Sequence, residues 1–171
     1  MTSFSLPTFS RLTPKILRAE RELAQMQQFY EKQAKALADG DWGAMAAVSA
    51  GIHNVYNGIE DILLSLARDI DDAVPTGPSA YQDVLDQMAA EIAGTRPALL
   101  DLDLCEALTE IKGFRHLVRH RYGFDLKPEK VVENLALLRK TFPVFLAAVT
   151  ALEKTMKGGD DHDGGNGKPA G

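Results

Sequence analysis

The sequence predicts an all-α fold, an antiparallel bundle of four long helices and one short one. Three observations predict it. Apolar residues recur at steps of three and four along most of the chain. The joins between these stretches are short and rich in Gly, Pro and Asp. No stretch reads as a strand, and no segment repeats. With 171 residues, 45% of them apolar, the chain has the size of one domain and the material for one core.

Residues 1–12 read as a loose lead-in, and the bundle is expected over 13–157. Thr13-Pro14 reads as an N-cap followed by proline in the first helical turn. Ile16, Ala19, Leu23, Met26, Tyr30, Ala34 and Leu37 then mark one helical face, closed by Gly40-Asp41. The next helix has the cleanest stripe, from Met45 through Val48, Ile52, Val55, Ile59, Ile62 and Leu66 to Ile70. Its other face carries His53, Asn54, Asn57, Glu60 and Asp61, polar residues that belong by default to an exposed surface. After the break at Pro75-Thr76-Gly77-Pro78 comes the short helix, with Tyr81, Val84, Leu85, Met88 and Ile92, interrupted from Gly94 to Pro97. Asp103 and Glu106 resemble a capping box for a helix with Leu104, Ala107, Leu108, Ile111, Phe114 and Val118 on its apolar face and Gly123 as its C-cap. Pro128 opens the last helix, whose stripe runs from Val131 to Met156, and Pro143 should kink or break it. Residues 158–171 hold no large apolar side chain and read as a disordered tail.

Composition narrows function by exclusion. The net charge of −5 argues against a protein that coats nucleic acid non-specifically, while leaving room for a local basic site. No apolar run approaches the roughly 18 residues of a membrane span. Met1 to Pro7 lacks the basic start and apolar core of a signal peptide. The single cysteine, Cys105, has no partner for an internal disulfide and reads as a small packed side chain. These features together lead us to expect a cytoplasmic protein.

Against this acidic background Lys112, Arg115, Arg119 and Arg121 form a run of cations with no acid among them, and His116 and His120 fall in the same segment. Cations that hold an anion, beside imidazoles that move protons near neutral pH, are what phosphate chemistry requires. At ~100° per residue, Arg115 lies about 40° from Ile111, on the edge of the apolar stripe. Two readings stay open for it: a stem packed on the core with its head in water, or a charge held for function. His116 and His120 fall on the opposite, wetter face beside Lys112 and Arg119, where a solvated helix surface is the plain alternative. Metal chemistry fits poorly. Leu117 stands where a zinc protease needs glutamate, and Ala50, Gly113 and Leu117 stand three before the histidines where a di-iron bundle needs it. No phosphate-binding glycine loop, nucleophile elbow or Cys-x-x-Cys pair is present. Neither a metal nor a cofactor is expected. Positions 115 and 120 point about 140° apart on a straight helix. They can share one phosphate only if the helix unwinds near Tyr122-Gly123 or if two subunits build the site together.

Arg115-His116-Leu117-Val118-Arg119-His120-Arg121-Tyr122 reads as Arg, a polar residue, three more, His, any, Tyr. This resembles the signature of HepT-like toxins in the HEPN superfamily of helical-bundle ribonucleases. The resemblance extends over about residues 20–157, including Asn54 to Leu63 and Phe114 to Leu135. It implies an HEPN-like bundle acting as a metal-independent endoribonuclease toxin and a homodimer. Arg115 would neutralise the scissile phosphate, His120 would serve as general acid or base with the RNA 2′-hydroxyl as nucleophile, and His116 would polarise or orient. Lys112, Arg119 and Arg121 would bind the RNA backbone. The implied partner is a nucleotidyltransferase antitoxin that attaches AMP to Tyr122 and so repels RNA. Tyr122 would then need to be accessible, although the helical wheel sets it about 20° from Ile111. His53, Asn57 and Glu60 could stand around the site. The alternatives are a non-catalytic nucleotide- or protein-binding HEPN module and a plain helical adaptor.

Overall fold

The computed structural model describes residues 3–120 and 126–160, the side chains of His120 and Asp160 excepted. Six helices follow in order: α1 (Pro7–Ser10), α2 (Thr13–Ala38), α3 (Trp42–Asp69), α4 (Ala80–Ala89), α5 (Leu102–His120) and α6 (Pro128–Asp160). Among the described residues there is no strand; one isolated antiparallel bridge joins Ile92 and Arg96. The four long helices and the short α4 form the all-α bundle that the apolar periodicity predicts, the fold that the HepT-like resemblance also implies.

α3 is the central helix and packs against α2, α4, α5 and α6. Met45, Val48, Ile52, Val55, Ile59, Ile62 and Leu66 are buried, and so are Tyr56, Leu63 and Ala67 from its flanks. Gly51 and Gly58 let α2 approach closely. A methyl added at Gly51 would stand 2.6 Å from Met26 Sδ, and one at Gly58 3.1 Å from Ala19 Cβ. Both glycines therefore sit where a side chain would push the two helices apart.

The caps differ in part from expectation. Leu12, not Thr13, precedes the first turn of α2, and no side chain caps it. Leu12 is instead a core residue. Asp41 caps α3 by accepting from the Ala44 N–H at 2.8 Å. α5 begins one residue before Asp103, so the expected box is displaced: Asp101 Oδ1 accepts from the Leu104 N–H at 2.8 Å. α6 continues through Pro143 without a break and runs past Gly158 and Gly159 to Asp160, shortening the expected tail. Residues 121–125 and 161–171, and with them the Gly123 cap, lie outside the described residues.

Residues 5–12 of the expected lead-in are packed against the bundle. α1 places Phe9 and Leu12 in the core, both essentially unexposed. Glu153 of α6 secures this segment by accepting from the Ser5 and Leu6 N–H groups, each at 2.7 Å. Burial by itself would raise the Glu153 carboxyl, but these two N–H groups and Lys157 outweigh it and hold it below its ordinary value.

α6 is long and apolar enough to cross a membrane by length and composition, with a mean hydropathy of 1.6 over its most apolar window. Its apolar stripe is used in the core: Val131, Leu135, Leu138, Phe142, Phe145, Val149 and Leu152 are all buried. A second anchor closes the α4–α5 connection. Arg96 spends all five of its N–H donors, on both oxygens of Asp71 and on the carbonyls of Gln87, Ala90 and Pro97. Neither side chain of this ion pair reaches solvent. Burial would raise Asp71, but the bonds from Arg96 and Gln87 lower it below its usual range.

Candidate functional site

The site is built where α3, α4 and α5 meet. Arg115 projects from the apolar edge of α5 and is only 6% exposed. A guanidinium so placed cannot shed its charge and needs a partner. It donates through Nη1 to Glu60 Oε2 across the α3–α5 contact. Its planar head is flanked by two aromatic rings, Tyr56 of α3 with its centroid at 5.6 Å and Tyr81 of α4 at 4.8 Å. The head of Arg115 is therefore held by an acid and two rings and is not simply carried out into water.

The electrostatics of this contact follow from burial. Glu60 is raised above its ordinary range because desolvation outweighs the attraction of Arg115, and its Oε1 is buried with no hydrogen-bond partner among the described residues. The Tyr56 hydroxyl is pushed far up by burial first and by the Glu60 charge second. His53 is lowered from its ordinary 6.5 by burial, then by Arg115 and Arg119, so it is neutral at pH 7. Its Nε2 lies 3.0 Å from Asn57 Nδ2.

Two cavities open here. The first, of about 540 Å³, is lined by His53, Asn57, Glu60, Asp61, Tyr81, Arg115 and Arg119, with Leu64. The second, of about 470 Å³, runs between the start of α4 and the outer face of α5 and is lined by Lys112, His116 and Arg119 among others. Lys112 donates to Gln82 Oε1 of α4. Among the described residues no three His, Cys, Asp or Glu side chains gather into a group able to hold a metal ion.

A family model described as HepT-like protein matches residues 47–156, a span that contains every wall of both cavities. The chain belongs to the HepT-like family. No curated protein and no solved structure gives a match. HepT-like proteins are of the HEPN superfamily, whose members are generally ribonucleases, and the family is one of toxins from toxin–antitoxin systems.

Set against the HepT-like motif, the structure gathers some of the expected residues and leaves others out of view. Arg115 and Arg119 line both cavities, so Arg119 belongs to the same walls as Arg115 as well as to the face that carries His116. Lys112 and His116 line the second cavity. The His120 side chain, Arg121 and Tyr122 lie outside the described residues; the backbone of α5 is helical through position 120. His53, Asn57 and Glu60 do stand around Arg115. Sequence reasoning set Glu60 on an exposed face that could stand around the site, did not see its pairing with Arg115, and gave Tyr56 and Tyr81 no role. The available signal was Arg115 itself, since a cation on an apolar edge demands an acid on the facing helix.

Proposed function

We propose that this HepT-like protein is the toxin component of a prokaryotic toxin–antitoxin pair and cleaves RNA without a metal, as a homodimer in the cytoplasm. The observation that carries this reading is the setting of Arg115: a fixed, buried guanidinium at the wall of a cavity that also holds Arg119. Arg115 and Arg119 meet the scissile phosphate and stabilise the charge that builds on it during attack. Lys112 and Arg121 hold the flanking RNA backbone.

His120 acts as general acid or base while the 2′-hydroxyl attacks phosphorus, and His116 polarises or orients the linkage. With α5 helical through His120, positions 115 and 120 diverge by about 140°, which favours a site completed by a second subunit. A nucleotidyltransferase antitoxin attaches AMP to Tyr122, and the added phosphate repels RNA from the cationic groove. The test is RNA cleavage by purified protein in the presence of a chelator. Arg115→Ala and His120→Ala are each expected to abolish it, and mutants cutting as well as wild type overturn the reading.

One observation favours a second reading, a nucleotide-binding module without turnover. The Arg115 head is already engaged by Glu60, as a purely structural arginine would be. Tight nucleotide binding in a calorimeter, with no RNA loss under any condition, decides for it.

A further inference from the structure

Two tyrosines flank the same guanidinium, and they are treated differently. Tyr56 is fully buried, as a ring that serves packing is expected to be, whereas Tyr81 is 43% exposed. Tyr81 lies in the first turn of α4 and stands between the two cavities. Among the described residues only Tyr81, Arg115 and Arg119 line both. An aromatic ring left open to solvent, backed by one cation and bordered by others, offers a nucleobase a face on which to stack and gives the adjoining phosphates their counter-charge.

We propose that Tyr81 is a stacking platform for one base of a single-stranded RNA that crosses from the first cavity to the second. The phosphate on one side of that base lies toward Arg115 and Arg119, and the next lies toward Lys112. Asp61, also on the first cavity wall, disfavours phosphate at its own edge and leaves the Arg115 side as the anion's place. Stacking on a ring is tolerant of base identity, so the platform contributes affinity and register more than sequence choice. The inference rests on the reading that these cavities take RNA, and it does not require that the RNA be cut.

The experiment measures binding of 2′-O-methylated oligonucleotides, which carry no free 2′-hydroxyl nucleophile, so activity does not enter. Tyr81→Phe is expected to bind like wild type, and Tyr81→Leu about 5- to 150-fold more weakly. 2-Aminopurine placed at the stacked position is expected to be quenched by wild type and Tyr81→Phe and to stay bright with Tyr81→Leu. An abasic residue at that position weakens wild type by a similar factor and leaves Tyr81→Leu unchanged. Wild type alone suffices should Tyr81→Leu fail to fold: equal affinity for intact oligonucleotides and for the whole abasic series overturns the platform. So does equal binding by Tyr81→Leu and wild type, or no binding at all. Stacking without cleavage of unmodified RNA leaves the platform standing and overturns the ribonuclease. Cleavage with no dependence on residue 81 does the reverse.

Discussion

Removing either member of the Glu60–Arg115 pair should not cost the same, and the difference can be worked out from the structure. Both side chains are nearly excluded from water, at 5% and 8%. Glu60→Ala strands a guanidinium that stays charged at every accessible pH. Such a break in a buried pair costs about 3–5 kcal/mol. Arg115→Met keeps the stem packed and strands a carboxyl instead. That carboxyl is already raised by burial, and it can escape by taking a proton. The group's native pKa lies above its unfolded value, so its stability is fully present below the ordinary 4.5 and is lost as pH rises through the native value. Without Arg115 that native value climbs further, and each added unit steepens the loss by about 1.4 kcal/mol. Urea unfolding at pH 5 and pH 8 checks this. Glu60→Ala should be strongly destabilised at both, Arg115→Met mainly at pH 8. The double change to methionine should be more stable than Glu60→Ala alone. A loss below about 1 kcal/mol for Glu60→Ala, or identical pH profiles for the two single variants, refutes the reasoning.

Arg96→Lys should behave as a severe change, costing on the order of 3 kcal/mol in thermal or urea unfolding, because an ammonium has three donors and no fork where five are used. Gly51→Ala should destabilise by about 1–3 kcal/mol, since its methyl overlaps Met26 and the α2–α3 contact must open. His53 should titrate below 6.5 by NMR. Since the fold resists its protonation, stability should fall as pH drops from 6.5 toward the native value, and His53→Gln should flatten that stretch of the pH–stability curve.

The bundle was legible because burial imposes a period. The stripes of α3 and α6 name core residues almost without error, and Gly40, with its positive φ of 79°, closes α2 as its residue type requires. α1 escaped because a helix of four residues is too short to show any period; only Phe9 and Leu12 hinted at it. The candidate site was half legible. The cation run exposed Arg115 and Arg119, and Glu60 could be set loosely around the site with His53 and Asn57, but a pairing across helices leaves no local trace, so neither its bond to Arg115 nor the contact of Tyr81 could be read. At Pro143 the expected break does not occur. Proline forfeits one hydrogen bond, and the buried neighbours Phe142 and Phe145 hold the helix continuous across it.

The tie between Glu153 and the backbone of Ser5 and Leu6 has a temporal side. Its partners are separated by nearly the whole described chain. A ribosome adding roughly 5–20 residues per second takes about 7–30 s to go from one to the other. Through that interval the Ser5 and Leu6 N–H groups have no Glu153 carboxylate to receive them. The seam between the N-terminal segment and α6 thus closes only after α6 has been made, and until then the nascent chain carries it open.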